Sequence, residues 1–319
     1  MRMINTDKLL AYACGTIPNI PASIYHYTNE ETVPLILTKK HISFRMTRID
    51  DFDDVYEGKT IEIYYDLALE KLHKMNILTE EQLLLFSKVQ LPEKHAFIHI
   101  SSSYNGIKLE TAVPYVVCFS KNANDPYMYK NYLKGTDRGC SLGFHLFTDK
   151  HVVVQGKPLL SLCNGARLFL TNVLYGEEIV DHLVDYIQGL LNCIDGVFIN
   201  KELEEWILPF IEIELANLQY CSKLNKYRRE NEVRMILLVS ESESISPNPA
   251  YCFKTEEKDG RHFLYIPFHR SLLNSIHASD ALKNDMDDLK SKLIENGYTN
   301  KFRGQSTPNE KGREPNLCP

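Results

Sequence analysis

Apolar residues recur along this chain with two different spacings. Met235, Ile236, Leu237, Leu238 and Val239 form an unbroken apolar run bounded by Ser240 and Glu241, the pattern of a strand buried on both faces. Residues 113–120 read the same way. Shorter strands are predicted at 23–28, 41–44, 138–144 and 171–175, and 251–253 is expected to pair with 262–266 around an acidic turn at 256–260. Helical spacing appears at Ile61, Tyr64, Leu67, Leu69 and Leu72, then over 83–89 behind Thr79-Glu80-Glu81 as a cap. Further helices are predicted over 6–14, from about residue 32, and in a short segment opened by Asp125-Pro126 and closed by Gly135. Two more cover 178–218 and 280–296, the last with Leu282, Met286, Leu289 and Leu293 on one side. Residues 271–278 suit a strand or a helical turn, residues 91–112 read as loop or insertion, and the polar tail 303–319 reads as disordered. Strands and helices alternate with no linker before residue 300 and no internal repeat. The expectation is a single α+β domain over residues 1–302, with helical insertions near 60–110 and 178–220.

One stretch breaks the pattern. Tyr227-Arg228-Arg229-Glu230-Asn231-Glu232-Val233-Arg234 leads directly into the apolar run. Extending the strand backwards puts Glu230, Glu232 and Arg234 on one face, because side chains alternate with period 2. Charges are costly to bury unless paired or used. The stretch is therefore either a salt-bridged strand, with Arg228, Arg229 and Arg234 as neutralising groups, or a catalytic pair.

Composition narrows the classes. The chain has 319 residues, of which 44% are hydrophobic and 24% charged, as in ordinary globular proteins. A net charge of −6 argues against a dedicated nucleic-acid binder. No basic region followed by an apolar core opens the sequence, and no apolar stretch approaches membrane-spanning length, so a cytoplasmic protein is expected. The eight cysteines include no C-x-x-C pair, which leaves a zinc site or a disulfide framework without support. His95 and His99 have helical spacing but no third ligand, and Asp50, Asp51, Asp53 and Asp54 lack the glycine and distal glutamate of a calcium loop. No G-x-G-x-x-G run marks a Rossmann nucleotide site.

Three groups of residues carry candidate chemistry. His26-Tyr27-Thr28, at a strand end, offers a donor to a ribose hydroxyl and a clamp for an amide, or else a half-buried histidine among aromatics. Tyr127, Tyr129 and Tyr132, beside the strand ending at Ser120, either stack on a flat, positively charged ring or pack in the core. Glu230 and Glu232 either receive a proton and orient a sugar hydroxyl or form salt bridges.

Taken in order, these landmarks resemble a bacterial family known as domain of unknown function 2971. The resemblance rests on Tyr25-His26-Tyr27-Thr28, the acidic loop closing on Tyr56-Glu57, and Cys118-Phe119-Ser120. It continues through Met128-Tyr129 with Tyr132, Gly139-Cys140-Ser141-Leu142-Gly143-Phe144, Val173-Leu174-Tyr175 and Glu230-Asn231-Glu232-Val233-Arg234. The family usually carries tryptophan at the position of Tyr129. It is similar to the His-Tyr-Glu branch of the ADP-ribosyltransferase superfamily, which implies split antiparallel β-sheets with NAD+ in the cleft between them. By that resemblance His26 binds the adenosine-side ribose, Thr28 with neighbouring backbone holds the nicotinamide amide, and Tyr27 and Ser120 belong to the cofactor-binding set. Tyr129 or Tyr132 stacks on the nicotinamide ring. Glu232 hydrogen-bonds the 2′-hydroxyl of the nicotinamide ribose and stabilises the departing-group transition state, and Glu230 serves the acceptor. The implied activity is mono-ADP-ribosyl transfer from NAD+ to a protein or nucleic acid, in a toxin or phage-defence setting with a cognate inhibitor. The rival is a module that binds NAD+, ADP-ribose or another nucleotide without cleaving it.

Overall fold

The computed structural model describes residues 21–52, 61–89, 96–100, 107–133, 136–145, 147–148, 151–154, 157–158, 166–192, 207–240, 254–299 and 301–302. These residues form an α+β fold of mainly antiparallel strands and several helices. The expected helix at 6–14, the strand at 251–253, the loop residues Asp53, Asp54, Tyr56 and Glu57, and the tail at 303–319 lie outside the described residues.

In chain order the elements begin with β1 (Ile24–Asn29), the single turn α1 (Val33–Ile36) and β2 (Ile42–Arg48). Helices α2 (Ile61–Lys74) and α3 (Glu80–Phe86) follow. Thr79 caps α3 in a reciprocal box with Gln82, satisfying two of the free N–H groups at the helix start. The region up to residue 112, expected as loop or insertion, includes β3 (Ala96–Ile100), paired antiparallel with the start of β4 (Ile107–Ser120). Asp125 caps α4 (Pro126–Tyr132) by accepting from the Tyr127 N–H, with proline in the first turn where its missing donor costs nothing. Next come β5 (Gly139–Phe144), β6 (Phe147–Thr148), β7 (His151–Val154), β8 (Lys157–Pro158), β9 (Ala166–Asn172) and β10 (Leu174–Tyr175). Helices α5 (Glu177–Asn192) and α6 (Leu208–Cys221) lead into β11 (Ser222–Lys223) and β12 (Glu232–Ser240). The chain continues as β13 (Lys254–Lys258), β14 (Arg261–Phe268), β15 (Leu273–Ala278), α7 (Asp280–Lys283) and α8 (Asp287–Glu295). The last predicted helix is thus two helices, broken at Asn284 to Met286.

The chain groups into two compact units. The described part of the first is drawn from Phe44–Phe119 and Lys157–Ile266. Here β12 pairs antiparallel with β9 from Val233↔Asn172 to Val239↔Ala166, which buries the apolar run seen in the sequence. β13 and β14 form a hairpin closed by Asp259 and Gly260, both at positive φ (54° and 71°). Helices α2, α3, α5 and α6 bury Leu72, Phe86, Ile187, Phe210 and Ile211 in one core. α6 buries residues all round its circumference, as an interior helix does. A second cluster joins Val116, Tyr220, Ile236 and Leu238.

The second unit is drawn from Ala22–Ser43, Ser120–Gly156 and the chain from Pro267 onward. Its centre is β5, paired antiparallel with β1 on one side and β15 on the other. The β5 backbone is approached closely. A Cβ on Gly139 would meet the Thr28 carbonyl oxygen at 2.6 Å, and one on Gly143 would meet a Tyr25 ring carbon at 2.8 Å. Among the described residues no helix is long and apolar enough to cross a membrane.

Candidate functional site

The charged stretch that interrupts the apolar pattern folds differently from its expected strand. Residues Asn225–Glu230 form a 3-10 turn, and Asn231 takes the left-handed conformation (φ 49°, ψ 50°) before β12 begins at Glu232. Asparagine tolerates that conformation better than most residues. Glu230 is therefore not a strand residue, and the alternation expected to place it beside Glu232 does not apply. The two acids meet by another route.

That route is Lys223, on β11. Its ammonium donates to Glu230 Oε2 at 2.8 Å and forms an ion pair with Glu232 Oε2 at 2.6 Å. The second contact is an ion pair without the alignment of a directed hydrogen bond. The alternation does hold between Glu232 and Arg234, where Arg234 Nε donates to Glu232 Oε1 at 2.8 Å. Arg234 Nη1 donates to the Tyr220 carbonyl at 2.5 Å, satisfying an acceptor in the last turn of α6. Tyr175 Oη accepts the Glu232 backbone N–H at 2.9 Å. Arg228, a candidate partner for the acids, pairs instead with Glu178 at 2.6 Å.

Apart from the exposed Arg228–Glu178 pair, these ions are withdrawn from water. Arg234 is 0% exposed, Glu232 1% and Glu230 6%. Burial raises the proton affinity of Glu232 above the ordinary carboxylate value, and Lys223 opposes that rise. The partly buried Cys118 thiol on β4 is pushed well up, first by burial and then by the Glu232 charge, so it stays protonated. Tyr175 is likewise raised, by burial first and then by Glu232. The first unit therefore holds two acids, two cations, a neutral thiol and a phenol in one buried cluster.

The other predicted residues lie in the second unit: His26, Tyr27 and Thr28 on two faces of β1, Ser120 at the end of β4, and Tyr129 and Tyr132 on α4. Tyr25 pairs with Gly143 and Tyr27 with Ser141, and the Tyr25 ring meets His277 edge-on at 6.0 Å. His26 and Thr28 alternate onto the opposite face, paired with Leu142 and Cys140. His26 is half-buried and Thr28 buried. Tyr129 belongs to the Tyr27 face. Their rings meet edge-on at 5.0 Å, and Tyr129 Oη donates to the His277 carbonyl at 3.0 Å. Tyr27 Oη donates to the Asn122 carbonyl at 2.7 Å and accepts the Asp125 N–H at 2.9 Å. Burial pushes its hydroxyl up to about 12. Ser120 Oγ accepts the Asn122 N–H at 3.1 Å, fixing the loop ahead of α4. Tyr132 is half-buried, one helical turn beyond Tyr129. Tyr27 and Tyr129 are thus brought together, and His26 and Thr28 are brought together on the reverse side of the same strand.

An open cleft of about 780 Å³ adjoins Tyr129, lined also by Asn124, Lys130, Asp137, Ser279 and Asp280. Tyr129 is the sole predicted site residue in its lining. Sequence reasoning did not single out Lys223, which sits on a two-residue strand with no local pattern. Cys118 and Tyr175 stand in the sequence as strand residues and as landmarks of the resemblance, without a site role. Among the described residues no cluster of three metal-ligating side chains occurs. No family model, curated protein or solved structure matches the chain.

Proposed function

We propose that this chain is a mono-ADP-ribosyltransferase-like enzyme acting on NAD+. The observation that carries the reading is Glu232, a carboxylate buried at the head of a strand and gripped by two cations. Burying an ion pair is seldom needed for stability, since apolar residues of similar volume serve as well or better. A buried acid with raised proton affinity and specific charged partners is a functional-site candidate.

In the proposed reaction the glycosidic bond between C1′ of the ribose and the nicotinamide nitrogen breaks, and its electron pair leaves with nicotinamide. Positive charge develops at C1′ and O4′, and the Glu232 carboxylate stabilises it while accepting a hydrogen bond from the 2′-hydroxyl. A lone pair on the acceptor forms the new bond to C1′. The acceptor proton passes to Glu230. His26, Tyr27, Thr28, Ser120, Tyr129 and Tyr132 take the NAD+-binding roles that the superfamily resemblance assigns. The acceptor is a protein or nucleic acid, and a toxin or phage-defence effector of this kind has a cognate inhibitor as partner.

A second reading has its own support. Glu232 is 1% exposed, with one oxygen hydrogen-bonded to Arg234 and the other ion-paired with Lys223. A module that binds NAD+ or ADP-ribose without cleaving it requires no free carboxylate. The experiment follows nicotinamide release from adenylate-labelled NAD+, with and without lysate, for wild type and Glu232→Gln. The transferase reading expects release that falls on the order of 10²-fold or more in the variant. Tight NAD+ binding without release in any lysate supports the binding module instead. Release unaffected by Glu232→Gln removes this acid from the chemistry.

A further inference from the structure

Two acids in the buried cluster share one lysine, while the other cation is otherwise committed. Arg234 spends Nε on Glu232 and Nη1 on the Tyr220 carbonyl. Lys223 Nζ lies 2.8 Å from Glu230 and 2.6 Å from Glu232, and its side chain is 11% exposed. The ammonium also lies 5.3 Å from the centre of the Tyr227 ring, which favours a cation at that point.

We propose that Lys223 is a positioning residue for Glu232, coupling it to Glu230 so that the charge on either acid is felt by the other through the shared ammonium. Its catalytic consequence rests on the transferase reading; its electrostatic content does not. The groups facing Glu232 are Arg234 from β12, Lys223 from β11, Glu230 from the 3-10 turn, Cys118 from β4 and Tyr175 from β10. The thiol and the phenol stay neutral near pH 7, because burial raises both. Among these five groups and Glu232 itself, the charged ones are two acids and two cations. Removing Lys223 leaves two acids facing one guanidinium, and such a pair relieves its repulsion by retaining a proton. Removing the Glu230 charge does the reverse, since the ammonium is then no longer divided between the two acids.

The test reads the Glu232 side-chain carboxyl directly, by carbon-13 NMR of glutamate-labelled full-length protein, with Glu232→Gln assigning the signal. Lys223→Met is expected to raise the titration midpoint by about one pH unit or more. Glu230→Gln is expected to lower it, and Lys223→Arg to keep it near wild type. A purely structural lysine would change the unfolding temperature and leave the midpoint in place. If Lys223→Met fails to fold, Glu230→Gln decides alone: a midpoint that does not fall overturns the proposal. In parallel, the acid limb of the nicotinamide-release profile should move up in Lys223→Met and down in Glu230→Gln. Midpoints that shift as expected without any release from wild type sink the transferase reading and leave the Lys223 assignment standing. Release with immobile midpoints does the opposite.

Discussion

The two units bury polar groups in contrasting ways. In the second unit the buried phenol of Tyr27 is neutral and spent on backbone: one carbonyl, one N–H. Ser141 likewise donates to the Ala123 carbonyl at 2.5 Å. Such contacts tie a loop to a strand and need no charge. The first unit spends the Tyr65 and Tyr186 phenols in the same way, on the Phe86 and Phe210 carbonyls, and adds around Glu232 a cluster of ions paired with one another. The Tyr27 pattern is what holding a fold together requires. The Glu232 pattern exceeds that requirement, so the case for chemistry is stronger there than among the tyrosines.

The contrast can be broken most directly at Arg234. Arg234→Met takes one of two cations from a buried carboxylate and a donor from an α6 carbonyl, and should destabilise the protein by about 3–5 kcal/mol in urea unfolding. A near-neutral result would mean that the cluster is not held as ions. Gly143→Ala tests the packing of the second unit, where the new methyl would press on the Tyr25 ring and, more closely still, on Ser275 Oγ. A loss of about 1–3 kcal/mol is expected. Tyr27→Phe removes a neutral donor and acceptor at once and should cost about 1–2 kcal/mol, with little dependence on pH near neutrality.

The smallest effect is a slope. Folding raises the proton affinity of Glu232, chiefly by burial, so the native state keeps a proton that the unfolded chain has released. The stability this group contributes is fully present below the ordinary carboxylate value of 4.5 and is lost as pH rises through its higher folded value. Glu232→Gln should flatten that part of the stability profile, while Tyr27→Phe should leave it unchanged. If both variants keep the wild-type slope, Glu232 is not its source.

Much of the first unit's β-structure can be read from the sequence, because burial on both faces leaves an apolar run with few alternatives. The run over 235–239 is the interior of β12, and the capped helix after Thr79 starts where its capping box requires. Boundaries set by a single backbone conformation are harder to read. Asn231 at positive φ turns an expected strand into a 3-10 turn, and the 171–175 segment is interrupted at Val173, whose N–H bonds to the Glu232 carbonyl. The acids themselves were legible as an anomaly of charge next to an apolar run. Their partner was not, since Lys223 reaches them from a two-residue strand that only tertiary packing defines.

Tyr175 joins three segments: its backbone pairs in parallel with Lys223, its carbonyl accepts from Arg228 and its hydroxyl accepts the Glu232 amide. One amide proton therefore reports on the whole joint. The Glu232 N–H can trade with deuterium only when the phenol lets go, so its exchange rate measures how often the buried acid is exposed to water. Tyr175→Phe would leave the ring in place and remove that latch, letting the frequency of opening be measured without altering any charge.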